Sequence, residues 1–270
     1  MPVRQRAARL LLPPLCAAAL LLTGCSTGPA ASPSAPSAPS DASTPPAPAA
    51  GPAGSGSDKH AGTEQRPAPA PAPRAIPGLG PGTAASLTDG THQVLVVTGE
   101  TADSSTATAV LWQREDAASP WTRVLGPWPA HNGLRGWTHE HRAGDLRSPI
   151  GVFGLGDAGG RLPAPGARLP YDQDPEFAVS GTGFLGEPLE GSFDHVIAID
   201  YNRVPGRTPL DKERPLGEER GGGVWVHVDH EGPTQACISL PAGRMRQLLR
   251  TLDPDRGPVI VMGPAAELRT

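Results

Sequence analysis

Gly223-Val224-Trp225-Val226-His227-Val228-Asp229-His230-Glu231-Gly232-Pro233-Thr234-Gln235-Ala236-Cys237-Ile238-Ser239-Leu240 reads as a strand, a turn and a return. Val224, Val226 and Val228 alternate with Trp225 and His227, the period of a strand with two distinct faces. Glu231-Gly232-Pro233 is turn material. The chain therefore leaves the strand after His230 and comes back carrying Cys237, the only cysteine beyond residue 25. That path can bring an imidazole to a thiol. A nearby imidazolium lowers a thiol pKa and populates the reactive thiolate.

A second patterned stretch lies upstream. Gly144-Asp145-Leu146-Arg147-Ser148-Pro149-Ile150-Gly151-Val152-Phe153 combines a polar turn, a proline that extends the chain, and a strand whose glycine admits a neighbouring backbone. Together the two stretches resemble the L,D-transpeptidase (YkuD) family. Its active-site motif is a His, a loop, then Ser/Thr-His-Gly-Cys, a hydrophobic residue, and Arg or Asn. Its second signature is Gly-Asp-x-Arg/Lys-Thr-Pro-x-Gly-x-Phe/Tyr. Thr234, Cys237 and Ile238 match the first, with His227 at the upstream His. Gln235, Ala236 and Ser239 depart from it, and the loop is short. Ser148 stands for Thr in the second. The resemblance covers roughly residues 91–263.

The chain has 270 residues, and its 34 prolines are concentrated before residue 82. Arg4, Arg6 and Arg9 precede an apolar run from Leu10 to Leu22, too short and proline-broken to span a bilayer. Leu22-Thr23-Gly24-Cys25 fits a bacterial lipobox, so residues 1–25 are expected to be a lipoprotein signal peptide and Cys25 the lipidation site. Acyl chains there would hold the protein on the outer face of a membrane. Residues 26–80 are rich in Pro, Ala and Ser, with almost no large apolar side chain. They are expected to form a disordered tether, extended where Pro and Ala alternate at 67–73. The folded domain is expected over 81–270. Net charge is −4, and no basic stripe marks a nucleic-acid partner.

Within the domain, strands are expected at 93–98, 108–114, 121–125, 194–201 and 258–262. Residues 156–192 read as a loop region or lid, and 202–222 as a polar connection. Pro241 to Leu252 is the one clear helix, with Met245, Leu248, Leu249 and Leu252 on its apolar stripe and Pro241 at its first position. Trp112, Trp121, Trp128 and Trp137 read as core and rim aromatics. The expected class is mainly β, a mixed β-sandwich of the L,D-transpeptidase type with one helix after the nucleophile turn.

The resemblance implies acyl transfer on peptidoglycan stem peptides through a Cys237 thioester, giving transpeptidation or carboxypeptidation. Cys237 is then the nucleophile and His227 its base. Thr234, Gln235, Ala236 and Ser239 line the substrate and oxyanion region. His230 is the alternative base, although three residues along a strand it falls on the opposite face from His227. Asp229 orients an imidazole or is solvated at the strand end. No metal or cofactor is implied, since the His227, Asp229, His230 and Cys237 spacing fits no usual zinc pattern. The expected state is a monomer, exported and lipid-anchored in the cell-wall layer. The competing reading is a wall-binding lipoprotein that has kept the domain and lost turnover. A working site is expected to hold a low-pKa cysteine.

Overall fold

The computed structural model describes residues 74–270. The expected signal peptide with Cys25, and the expected tether up to residue 73, lie outside the described residues. Twelve strands run in chain order: β1 (Gln93–Gly99), β2 (Thr106–Gln113), β3 (Thr122–His131), β4 (Trp137–Thr138), β5 (Ser148–Pro149), β6 (Gly151–Gly154), β7 (Ala158–Gly160), β8 (Tyr171–Gln173), β9 (Val196–Ala198), β10 (Trp225–Val228), β11 (Ile238–Leu240) and β12 (Val259–Pro264). Three helices accompany them: α1 (Pro81–Ala85), α2 (Ala242–Thr251) and α3 (Ala265–Leu268). Among the described residues, no helix is long and apolar enough to cross a membrane.

Ten strands form one mixed sheet in the order β6-β12-β1-β2-β3-β11-β10-β9-β7-β8, and β4 pairs with β5 apart from it. The sheet has two five-stranded halves. They meet where β11 pairs with β3 through one residue pair, Ser239 with His131. The fold is thus mainly β and mixed, and among the described residues α2 is the one helix of more than five residues. It follows the turn that carries Cys237, as expected, with Pro241 at the N-cap just outside it.

The sheet curls because one face must be covered. Leu95 and Val97 of β1, Leu111 of β2, Val226 of β10, Ile238 and Leu240 of β11, and Ile260 and Met262 of β12 share a core with Met245, Leu248 and Leu249 of α2. A strand face this apolar is stable only when removed from water. Arg244, Arg246 and Arg250 remain exposed on the outer side of the helix. The opposite face of β1 and β12 has its own cover: Val94, Val96 and Val261 pack with Trp121, Ile76 and Leu268. Trp121, Trp128 and Trp137 are all buried, as expected of core aromatics.

Three local readings change. The strand expected at 121–125 continues to His131, which lets β3 reach β11. The region 156–192 contains β7 and β8, paired in parallel, and a bridge between Thr182 and Pro188. The packed domain also starts earlier than residue 81. Ile76 is 3% exposed, and Gly80, Gly82 and Thr83 donate N–H groups to the carbonyls of Leu268 and Thr270. A single large apolar residue amid prolines is a weak signal, but it suffices to seat the segment.

Beginning the chain at Gly80 instead of Arg74 therefore removes the burial of Ile76. The expected loss is about 1.5–3 kcal/mol, or on the order of 3–12 °C in Tm for a domain of this size. Equal melting temperatures for the two chains would show that Ile76 contributes nothing.

Candidate active site

β10 and β11 run in parallel with Val226 opposite Ile238 and His227 opposite Ser239. Continued by one residue, this register sets Cys237 beside Trp225, one diagonal step from His227. The local hydrogen bonds agree: the Trp225 N–H donates to Cys237 Sγ at 3.4 Å, and the thiol points at the Gly223 carbonyl at 3.7 Å. The Trp225/His227 face of β10 is covered by Phe193, whose ring meets both side chains edge-on at 5.0 and 5.4 Å. His227 is 3% exposed. Its Nδ1 lies 2.8 Å from the Val228 carbonyl. A carbonyl only accepts, so Nδ1 carries the proton and Nε2 keeps the lone pair.

The loop before Cys237 is fastened at several points. Thr234 donates its hydroxyl to the Cys237 carbonyl at 2.6 Å, and its N–H to the Asn132 carbonyl. Ser148 is fully buried; it donates to the Ala236 carbonyl at 2.7 Å and accepts the Gly133 N–H at 2.9 Å. One hydroxyl thus joins the two sequence motifs. Among the described residues, the N–H groups of Gln235 and Ala236 donate no hydrogen bond. They are free donors beside the sulfur, the type of group that stabilises a developing oxyanion.

His230 is not on the far side from His227. The strand ends at Val228, the Asp229 N–H turns to the Leu240 carbonyl, and Glu231 adopts a left-handed φ of 67°. The chain doubles back, and the His230 ring stacks on that of His227 at 5.7 Å and 11°. His230 Nδ1 is held by Glu187 at 3.1 Å. Glu187 fits there because residue 232 is glycine: a Cβ at Gly232 would lie 1.9 Å from its Oε1.

Ser239 does not line the substrate region. It is fully buried, and its hydroxyl donates to Asp229 Oδ1 at 2.6 Å. The same oxygen meets His131 Nδ1 at 2.8 Å. Asp229 therefore neither orients a cleft imidazole nor sits in solvent; it ties β3, β10 and β11 together. Burial alone would raise its pKa, but the bonds from His131 and Ser239 outweigh this and hold it at about 2. The bond to Asp229 raises His131.

His227, His230, Thr234, Gln235, Ala236 and Cys237 line one cleft of about 520 Å³. Its remaining walls come from regions that read as featureless connections. Phe184, at the tip of the 182–188 hairpin, lines one part, and Gly221–Gly223 with His141–Gly144 line another. Glu187 and His141 were legible only as polar residues in loops, whereas Asp145 falls in the Gly144–Phe153 stretch. No group of three or more metal-ligating side chains occurs among the described residues.

Electrostatics separate this site from an ion-pair dyad. Burial lowers His227 to about 4, against a smaller opposing effect from its bond to Val228. Burial raises Cys237 to about 11, the Trp225 N–H only partly offsetting it. Both shifts favour thiol and free imidazole as the resting pair at neutral pH, in contrast to the low-pKa cysteine expected of a working site. Transferring the proton creates both charges together, and their mutual attraction offsets part of the burial cost.

No family model matches the chain, and no curated protein matches it.

Two measurements follow. Alkylation of Cys237 by iodoacetamide should be slow at pH 7 and rise about tenfold per pH unit towards its pKa of about 11; a plateau below pH 8 would contradict the neutral pair. Stability should also fall with acid through Asp229. Its folded pKa is depressed to about 2 from an unfolded value of about 3.9. Its contribution is therefore complete above pH ~4 and is lost as pH drops towards 2. Asp229→Asn should be less stable at neutral pH and should show a shallower loss across that window in urea titrations.

Proposed function

We propose that the protein is a cysteine acyltransferase acting on peptide carbonyls, with Cys237 as nucleophile and His227 as general base. The observation that carries the reading is the tautomer. With Nδ1 committed to the Val228 carbonyl, Nε2 of His227 is the free base in the cleft that holds the thiol. As Cys237 attacks, its proton passes to His227, and the S–C bond forms. The free N–H groups of Gln235 and Ala236 receive the oxyanion. The C–N bond breaks, and the departing amine takes the proton back from His227. An amine or water then removes the acyl group.

The resemblance of both motifs to L,D-transpeptidases supports peptidoglycan stem peptides as the substrate class and an L,D-transpeptidase-type domain as the fold. The lipobox at Cys25 supports placement at the outer face of the cell membrane. One observation favours the second reading, a wall-binding protein without turnover. A thiol raised to about 11 beside Ala236, where the family has glycine, is a poor resting nucleophile. Thiolate labelling at rest cannot separate the two readings, because both predict a neutral thiol. Turnover can.

Incubated with a disaccharide-tetrapeptide, the domain should release a D-amino acid and form a thioester adduct on Cys237, read by mass. Cys237→Ala should form none. His227→Ala should slow acylation about 10²–10⁴-fold, and His230→Ala much less. Absence of both adduct and product from the wild-type protein, with binding to the muropeptide retained, would replace this reading with the wall-binding one.

A further inference from the structure

A second imidazole–carboxylate pair opens on the same cleft. His141 is 4% exposed and lines the cleft with Ala143 and Gly144. Its Nδ1 lies 2.9 Å from Asp145 Oδ1. Asp145 is itself fixed, since it accepts the N–H groups of Arg142 at 2.8 Å and Arg147 at 2.9 Å. The ring of Tyr201 meets that of His141 edge-on at 5.3 Å, and the Tyr201 hydroxyl donates to the His141 carbonyl at 3.2 Å. The ring is thus placed from two sides. Its Nδ1 nevertheless lacks a well-aligned hydrogen bond, as is common in catalytic groups before substrate tightens them.

The other nitrogen is the informative one. Among the described residues, Nε2 of His141 has no hydrogen-bond partner, and it faces Gly221. A Cβ at Gly221 would lie 2.8 Å from Nε2, and Gly221 has a φ of +64°. Glycine there lets the backbone turn and keeps the imidazole edge clear. Gly221 is two residues before Gly223, whose carbonyl faces the Cys237 thiol. The Asp145 carboxylate lies behind Nδ1, and Nε2 is the nitrogen beside Gly221, which lines the cleft with it.

We propose that His141, oriented by Asp145, accepts the proton of the amine that removes the acyl group from Cys237, an assignment that rests on the acyl-transfer reading above. The neutral amine attacks the thioester carbonyl and the N–C bond forms. Its proton passes to Nε2 of His141. The C–S bond breaks and sulfur leaves as thiolate. The thiolate takes a proton from solvent while His141 returns one, so the cleft ends neutral. His227 serves the first half of the cycle and His141 the second.

The test separates the two halves. A tetrapeptide donor is mixed with the folded domain, with and without glycinamide as acceptor amine, and the Cys237 acyl-enzyme is followed by quenched mass spectrometry. In His141→Gln, aminolysis of the acyl-enzyme should slow about 10²–10⁴-fold, far more than its formation does. Asp145→Asn should slow aminolysis less. Added imidazole should restore part of the rate to His141→Gly. Normal aminolysis in His141→Gln overturns the assignment and leaves the acyltransferase reading intact. Failure of the wild-type protein to acylate overturns both. If the His141 variants do not fold, the wild-type protein labelled with ¹⁵N-histidine decides. The Nε2 resonance of His141 must shift when glycinamide is added to the acyl-enzyme, and an unmoved resonance overturns the assignment.

Discussion

Everything in the cleft depends on a narrow joint between the two halves of the sheet. Backbone pairing there is confined to Ser239 and His131. The carboxylate of Asp229 reinforces it by accepting from both of those side chains. Just beyond, the Thr234 N–H reaches the Asn132 carbonyl and the Leu134 N–H reaches the Thr234 carbonyl. The loop that presents Cys237 is thus part of the seam itself. Its geometry is set by the same bonds that hold the halves together. A charged group in this position is tolerable because both of its partners are fixed and mostly screened from water.

Desolvation is the second organising effect. It moves the two reacting groups in opposite directions, away from charge in each case. Neither group carries charge at rest, so the proposed acyl transfer would create charge that the free N–H groups and imidazole edges can receive. Such an arrangement protects the Cys237 thiol from adventitious oxidation, since oxidants attack thiolates first.

Continuous apolar runs made β1 and β12 legible, since both of their faces are covered; alternation did so for β10, and a helical apolar stripe for α2. Cys237 and His227 were legible as types in a pattern, and the structure brings them to one cleft. The path of residues 228–231 was not legible. One left-handed residue, Glu231, reverses the chain and sends His230 back over His227, and nothing in its side chain demands that conformation. Ser239 was misplaced for a related reason. Two residues after Cys237 it shares the cleft-side face of β11, but its destination is set by Asp229, whose partner His131 lies about a hundred positions away. The walls formed by 141–144, 182–188 and 221–223 depend on loop conformations, which have no period to read.

The clasp between the two ends of the described chain has a mechanical consequence. Residues 80–83 are bonded to the carbonyls of Leu268 and Thr270, and β1 runs parallel to β12 over six residue pairs. A pull on the chain ahead of residue 74 first loads the contacts of Ile76 and this clasp, then β1. Parallel neighbours loaded along their length must break many bonds at once, whereas a hairpin peels open one bond at a time. β1 also lies in the half of the sheet across the joint from β10 and β11. Tension entering there is borne first by the half of the sheet that does not carry Cys237.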